Sequence, residues 1–580
     1  MRSHDGGAPL PSAVTDWPCP LPAWPARDAD HLLVSGAQMA ALEEQLFASG
    51  LPVEALMEKA ALAISRRLLG APPDASGIPE AEDLAAGVVV LVGPGHNGGD
   101  GLVVARELHL AGVPVRLWCP FERRKPLTER HWSHARWLGI PVLETPPDPG
   151  DPNLWIDALF GHGQSRPPGE AIESLLRERD QAGAGPLLAV DVPTGLCGDS
   201  GRVLGRQAAR AARTLCVGLW KRGLVQDAAL PWVGRLERVE LGFPPALLAT
   251  LPADQPLGLG GPGGGRWDAT RAPRPRLDPA ASKYARGRLL VIAGSAAYRG
   301  AAHLALAGAT ASGAGSLRAV VPAAVADQLW MVLPHVVLEP RPLAEGGLER
   351  LDAVLVGPGL GPVPEGTAGE REPWWDALRR FTGLVVVDAE GLRRISPGWL
   401  RERAGPTWIT PHAGEFAGLC PELAALPPLE AAAEAARLCQ ATVLLKGARS
   451  VIAAADGRRW QLLEACGAAA RAGLGDGLAG YAAGLGARML ASLASEGRGG
   501  AQVHAPDASW LALAALDHAE AGCRATRELG PGGATPLAVT TLLAQAPLPP
   551  CAGPATVAIA TQRGSGQRRE WALKLADGSR

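Results

Sequence analysis

One pattern recurs through this chain and constrains its fold more than any other. A short apolar run rich in β-branched residues stops at glycine or an acidic residue, and a helical pattern follows. The clearest case is Val88 to Arg106, VVVLVGPGHNGGDGLVVAR. Val88 to Val92 reads as a strand buried on both faces, Gly93 to Gly101 as a glycine loop, and Leu102 onward as a helix. Strand, glycine loop and helix together bring backbone N–H groups and a helix N-terminus against an anionic ligand. The same grammar returns at Leu154–Gly169, Pro186–Gly201, Arg213–Leu224, Gly287–Leu317, Asp352–Pro362, Leu384–Leu392, Thr407–Leu419, Ala441–Gly457 and Ala472–Leu490. Strands alternating with helices predict an α/β protein with parallel sheets.

Ser35 is a candidate N-cap for a first helix, and a second helix begins at Leu51. At 580 residues the chain exceeds a single core. Residues 1–31, rich in Pro, Ala and Asp, read as a loose extension, and 251–282, rich in Gly, Pro and Arg without periodicity, as a linker. The expected division is an N-terminal domain over 32–250, a C-terminal domain over 283–550 and a tail over 551–580.

A net charge of −2 offers no bulk attraction for nucleic acid or an anionic membrane. No apolar run reaches the roughly 18 residues a membrane span needs, and the N-terminus lacks the apolar stretch of a signal peptide. Nine cysteines with no CxxC pair suggest neither a zinc site nor a disulfide framework and fit a reducing cytoplasm. A homo-oligomer is expected.

In open α/β sheets ligands bind at the carboxyl ends of the strands. Asn97, Asp100, Asp157, Asp191, Thr194 and Lys221 all fall there in the first half. In the second, Gly473–Asp476 sets donors and a carboxylate at a helix N-terminus, where a phosphate can sit and an Asp can act as general base. Lys446-Gly447 supplies a cation and a close backbone approach for a nucleotide. His412 with Glu415 could bind or shuttle a proton. Taken singly, each has a plain reading as a helix cap or turn residue.

The order of these motifs resembles that of the bifunctional NAD(P)H-hydrate repair family, an epimerase domain fused to an ADP-dependent dehydratase domain. GPGHNGGDGLVVAR, DALFGHG, DVPTG and the Lys221 strand are similar to epimerase motifs. GRLLVIAGS, SGAGS, VGPGLG, VVDAEGL, TPHAGEF, LLKGARSVIAA and GLGDGLAG are similar to those of the dehydratase. The resemblance implies two Rossmann-like three-layer α/β/α domains, the C-terminal one ribokinase-like. It implies that the first half epimerises the R and S forms of hydrated NADH or NADPH. The second would dehydrate the S form at the expense of ADP, giving NAD(P)H, AMP and phosphate.

The hydrate would lie against His96, Asn97, Gly98, Gly99 and Asp100, and against Gly161, His162, Gly163, Gln164, Ser165, Arg166 and Pro167. Asp191 would touch the substrate as acid or base, and Asn97, Asp157 and Thr194 would surround potassium. In the second half Lys446, Gly447, Ala448, Arg449, Ser450 and Gly475 would bind the nucleotide with its magnesium. Gly359, His412 and the catalytic Asp476 would line the hydrate site. Four departures stand out. His96 replaces the first Asn of the family's N-N-G-G-D, and Thr194 replaces a Ser. The run ending at Asp476 reads C-G-A-A-A-R-A-G-L-G-D where the family has N-P-G-M-A-T-G-G-T-G-D. The segment from Asp388 reads D-A-E-G-L-R for D-A-D-A-L-N. A ribokinase-like small-molecule kinase, or an epimerase carrying a decayed nucleotide-binding half, are the alternatives.

Overall fold

The computed structural model describes residues 24–70, 84–260, 272, 274, 280–339, 347–362, 374–495 and 507–546. The expected tail over 551–580 and the extension up to residue 23 lie outside the described residues.

Two sheets organise the chain. The first runs Val115–Trp118, Val88–Val92, Leu154–Ala158, Leu187–Val190, Arg213–Val217 and Arg235–Val239, every pair parallel. The chain leaves Val88–Val92 to one side for its second strand and returns to the other side for its third. That reversal opens a crevice beyond the carboxyl ends of Val88–Val92 and Leu154–Ala158. The second sheet repeats the device: Arg288–Ile292 lies between Ser316–Val320 and Ala353–Val356, followed by Leu384–Val387, Thr407–Ile409 and Thr442–Leu445, all parallel. Val451–Ala453 turns antiparallel at the far side.

Alternation explains the layers. Val88, Val90 and Val92 join one core and Val89 and Leu91 another, on opposite faces of the first sheet. Leu289 and Val291 divide from Leu290 and Ile292 in the same way in the second. All five residues of Val88–Val92 are wholly buried, each worth roughly 1.5–3 kcal/mol. Both faces are covered, which makes both halves three-layered as expected. In the second half the helix Leu474–Ser495 lies directly on Arg299–Ala311. A Cβ at Gly480 would stand 1.8 Å from the Ala305 carbonyl oxygen, so only glycine permits the approach.

The structure differs from expectation in three places. The helix after Val88–Val92 starts at His96, not Leu102, so Asn97 to Gly101 form its opening turns rather than a loop. A Cβ at Gly93 would lie 1.7 Å from the Leu159 carbonyl oxygen, and one at Gly98 2.0 Å from that of Gly93. These glycines serve close packing as much as anion binding. Second, Leu257–Leu259, inside the expected linker, is a strand parallel to Arg459–Leu462 at the edge of the second sheet. Third, residues 24–31 of the expected loose extension are held. The Arg27 guanidinium donates to the carbonyls of Leu251, Pro252 and Ala253, and the Trp220 indole donates to that of Asp30. Ser35 caps the first helix, Gly36–Ala48, through a full capping box with Gln38. Among the described residues no helix is long and apolar enough to cross a membrane.

Candidate functional site

The crevice of the first sheet opens into a cavity of about 1090 Å³. Its lining includes His96, Asn97, Asp100, Gly161 to Pro167 and Asp191. Gly98 and Gly99 are buried inside the helix turn and do not line it. Sequence reasoning missed Glu43, Phe121, Arg123 and Lys125 in the same wall. The basic run Arg123-Arg124-Lys125 beyond the Val115–Trp118 strand was a legible signal for the last two.

Asp191 follows Leu187–Val190 with φ 68°, a conformation that costs a non-glycine residue energy and concentrates at functional sites. Its Oδ1 accepts from Lys221 Nζ at 2.5 Å and from the Val217 N–H at 3.3 Å. Its Oδ2 accepts from the His162 N–H at 2.8 Å and lies 3.0 Å from His162 Nδ1. Burial pushes the Asp191 carboxyl up, but Lys221 and His162 outweigh it and hold the group well below the usual carboxylate range. Lys221 is wholly buried, and burial would depress its ammonium, yet Asp191 keeps it above the ordinary lysine value. Asp100 goes the other way. Burial, then the charges of Asp191 and Glu43, raise it well above an ordinary carboxyl. Glu43 is raised as well, chiefly by burial. One wall of the cavity therefore holds two carboxyls whose surroundings push them in opposite directions, Asp191 down and Asp100 up, the separation that marks acid and base partners.

Asp157 is wholly buried behind this wall. It accepts from the Thr194 N–H at 2.8 Å, the Thr194 hydroxyl at 2.7 Å and the Leu159 N–H at 3.2 Å. Burial still pushes it up to about 6 against those bonds. Asn97 lies across Gly161 from Asp191, with Nδ2 buried and unpartnered. The Asn97 carbonyl oxygen, the Asp157 carboxylate and the lone pairs of the Thr194 hydroxyl are hard donors suited to an alkali or alkaline-earth cation.

The second rim is built alike. Asp388 ends Leu384–Val387, is 1% exposed, and accepts from Lys446 Nζ at 2.7 Å and the Thr410 hydroxyl at 2.8 Å. Lys446 follows Thr442–Leu445, and Glu415 lies 3.9 Å from its ammonium. Burial would lower Lys446, but Asp388 and Glu415 raise it. A Cβ on Gly475 would lie 3.2 Å from Lys446 Nζ, which places the ammonium at the N-terminus of Leu474–Ser495. Asp476, in that helix's first turn, is pushed up to about 7 by burial and then by the charge of Asp388, with Lys446 opposing. A group titrating there can take and return a proton near neutrality. Asp388 was missed as a site residue, although it stands at a strand end as Asp157 and Asp191 do.

His412 is the N-cap of Ala413–Leu419. Its Nδ1 accepts from the Gly414 and Glu415 N–H groups, and the Glu415 side chain accepts from the His412 N–H. Its backbone bridges to Lys446, which keeps it on the rim. Gly359, at φ 66°, packs against Tyr298 and Ala301 beyond Ala353–Val356.

The expected nucleotide loop is shared with the first half. The Ala448 and Arg449 N–H groups donate to the Asp227 carboxylate at 2.9 and 2.8 Å. The Arg449 guanidinium donates to the Leu224 carbonyl at 3.0 Å. Ala448 and Arg449 are thus held by the first half, and the Arg449 side chain is buried at the contact. Ser450 Oγ lies 3.4 Å from the Gly447 N–H.

Residues 53–223 match the family described as YjeF-related protein N-terminus, and 289–542 match NAD(P)H-hydrate dehydratase. The chain is 43% identical over 464 residues to the bifunctional NAD(P)H-hydrate repair enzyme Nnr of Gloeobacter violaceus, covering 77% of this chain and 87% of that one. It is 39% identical to the enzyme of that name from a Synechocystis species, covering 78% and 85%. An ADP/ATP-dependent NAD(P)H-hydrate dehydratase from Bacillus subtilis, co-crystallised with ATP and Mg2+, is 27% identical. It aligns at a TM-score of 0.41 over 48% of this chain and 95% of its own.

Proposed function

This chain belongs to the family of bifunctional NAD(P)H-hydrate repair enzymes, and we propose how its two rims divide that work. The first half is the epimerase, exchanging the R and S forms of hydrated NAD(P)H. The second is the nucleotide-dependent dehydratase that consumes the S form. The relatives match across both halves, which disfavours a lone kinase or an epimerase with an inert partner.

The observation that carries the epimerase reading is that Asp191, held low by Lys221 and His162, shares one cavity wall with Asp100, whose carboxyl is raised by burial and by the charges of Asp191 and Glu43. Exchange of configuration at the hydroxyl-bearing carbon breaks and remakes a bond, with one proton taken and one returned. Asp191 is the base and Asp100 the acid, and Lys221 fixes the charge of Asp191. The rest of the lining, from His96 and from Gly161 to Pro167, orients the nucleotide. Asn97, Asp157 and Thr194 would hold potassium, whose charge supplies the counterion that buried Asp157 lacks among its hydrogen bonds.

In the second half, Asp476 takes the proton of the S hydrate's hydroxyl as that oxygen attacks the terminal phosphoryl of ADP. Lys446 and the helix N-terminus offset charge on the moving group. The hydroxyl becomes a phosphate ester as AMP departs, and loss of phosphate together with a proton from the neighbouring ring carbon then restores the dihydronicotinamide ring. Lys446, Gly447, Ser450 and Gly475 bind the nucleotide. Gly359 and His412 line the hydrate side. Magnesium would arrive with ADP and neutralise its phosphates.

The test is incubation of purified protein with mixed R and S NADPH hydrate, with and without ADP. Recovery of NADPH from both epimers is expected with ADP, and R/S exchange alone without it. No effect on either epimer would overturn the reading.

A further inference from the structure

One carboxyl of the first cavity does not come from a strand end. Glu43 lines it from the helix Gly36–Ala48. That helix is pinned against the site. The Gly36 N–H donates to the Asp199 carboxylate at 2.7 Å, and the Gln38 amide donates to the Gln255 side chain at 2.8 Å. A Cβ at Gly36 would stand 2.6 Å from the His162 carbonyl oxygen, so glycine lets the helix start against the loop that carries His162.

His162 stands between two carboxyls of this wall. Its Nδ1 lies 3.0 Å from Asp191 Oδ2, and its Nε2 lies 3.8 Å from Glu43 Oε2. The His162 N–H donates to the same Asp191 oxygen at 2.8 Å, which fixes the near end of the ring. A neutral imidazole has one nitrogen that donates and one that accepts, so a proton taken at one is matched by a proton released at the other. The 3.8 Å gap is an ion-pair distance, and catalytic contacts of this kind are often long before substrate binds. The two carboxyls differ in the sense a relay needs. Burial raises Asp191, but Lys221 and His162 outweigh it and hold the group low. Burial also raises Glu43, and together with the charge of Asp191 it outweighs His162, Lys221 and Lys125. Asp100, itself raised, faces Glu43 as well.

We propose that His162 relays a proton between Asp191 and Glu43, and that Glu43 is a further catalytic residue of the first half, serving the substrate oxygen on one ring face as Asp191 serves it on the other. The proposal rests on the epimerase reading of the first rim. The R and S hydroxyls project from opposite faces of the ring, so an oxygen that loses its proton on one face must regain it on the other. In the opening step the hydroxyl proton passes to Asp191 and the oxygen becomes a carbonyl. The carbon–nitrogen electron pair goes to the ring nitrogen, which takes a proton from Asp100. Asp191 gives its proton to His162 Nδ1 as the Nε2 proton moves to Glu43. On closure the nitrogen attacks the other face of the carbonyl and returns its proton to Asp100, and the new hydroxyl takes its proton from Glu43. Only the imidazole tautomer is left changed. The reverse exchange resets it, as does solvent, since the His162 side chain is 20% exposed.

The experiment follows R/S exchange of NADPH hydrate by the full chain, above the uncatalysed rate, in Glu43→Gln, His162→Gln and His162→Ala. Glutamine keeps hydrogen-bonding capacity at either position but cannot pass a proton on. In both glutamine variants kcat is expected to fall roughly 10²-fold or more, with KM changed by less than about threefold. Imidazole added to His162→Ala should restore part of the rate and should add nothing to Glu43→Gln. ADP-dependent recovery of NADPH from the S epimer, the work of the second half, serves as the control for folding. Exchange in Glu43→Gln at the wild-type rate, a His162→Gln defect confined to KM, or His162→Ala unmoved by imidazole would overturn the relay. Should Glu43→Gln fail to fold, Glu43→Asp sets the carboxylate farther from His162 and should lower kcat roughly tenfold; a wild-type kcat there would equally overturn it. Wild type that exchanges neither epimer would instead refute the epimerase reading itself.

Discussion

Asp476→Asn should make the protein more stable and less active, and the two effects have one cause. The carboxyl of Asp476 stands at about 7 against an ordinary 3.8, because burial and Asp388 penalise its charge more than Lys446 repays. At about 1.4 kcal/mol per pH unit, the span sets a ceiling of about 4 kcal/mol on the penalty. The sign follows from the raised value. Below about 4 the group is protonated in both folded and unfolded chains and costs nothing. As pH rises toward 7 the unfolded chain ionises first, and above 7 the full penalty falls on the folded state. An amide of the same shape removes it. Urea unfolding of wild type and Asp476→Asn at pH 8, 6 and 4 should show a gain for the variant that is largest at pH 8 and vanishes near pH 4. ADP-dependent recovery of NADPH should fall by roughly 10²–10⁴, the range for loss of a general base, while R/S exchange persists. In wild type the dehydration kcat/KM should decline on acidification through about 7. A variant less stable at pH 8 would refute the electrostatic argument, since it would mean that Lys446 holds Asp476 by net attraction. Undiminished recovery would remove Asp476 as the base.

Lys221→Met leaves buried Asp191 without its counter-ion and should cost about 3–5 kcal/mol in denaturant unfolding, with loss of R/S exchange; a cost under about 1 kcal/mol would contradict the pairing. Replacing potassium by tetramethylammonium should slow R/S exchange in wild type, and Asp157→Ala should abolish the difference; an indifferent wild type sinks the cation site. Asp227→Ala removes two charge-assisted hydrogen bonds from the nucleotide loop and should raise KM for ADP about fivefold or more, leaving R/S exchange intact. An unchanged KM would mean that the loop keeps its shape without the first half.

The fold was legible because its grammar is local. A buried parallel strand must be apolar on both faces, so Val88–Val92 and Leu384–Val387 announce themselves without reference to the rest of the chain. Parallel pairing then fixes where the carboxyl ends of the strands lie, and the placement of Asp157, Asp191 and Lys446 there follows by position alone. The rule was applied too narrowly at Asp388, which ends its strand in the same way and neutralises Lys446. Helix starts were less legible. Glycines between Gly93 and Gly101 read as loop because helix propensity opposes them, yet contact with Leu159 and Gly93 itself demands them inside the turn.

What no local pattern could give is the tie between the halves. Asp227 and Ala448 stand 221 residues apart in sequence, and neither lies in a segment whose periodicity points at the other. By its sequence, Lys446–Ser450 is the stretch that the family resemblance assigns to the nucleotide, Arg449 included. In the folded chain its N–H meets Asp227, its guanidinium meets the Leu224 carbonyl, and Gln461 bonds its carbonyl while reaching Gln226. Three of these bonds, those of the Arg449 guanidinium, the Arg449 carbonyl and the Gln226–Gln461 pair, satisfy buried polar groups that would otherwise cost free energy. The loop's shape is therefore a property of the whole chain, and the departures upstream of Asp476 act on a site that the first half helps to hold. A dehydratase half expressed alone would expose Arg449 and lose the Asp227 anchor, and its affinity for ADP should fall by the same factor as in Asp227→Ala or more. If the isolated half bound ADP as tightly as the full chain, the contact would be only a docking surface, and fusion of the two halves would have no bearing on the nucleotide site.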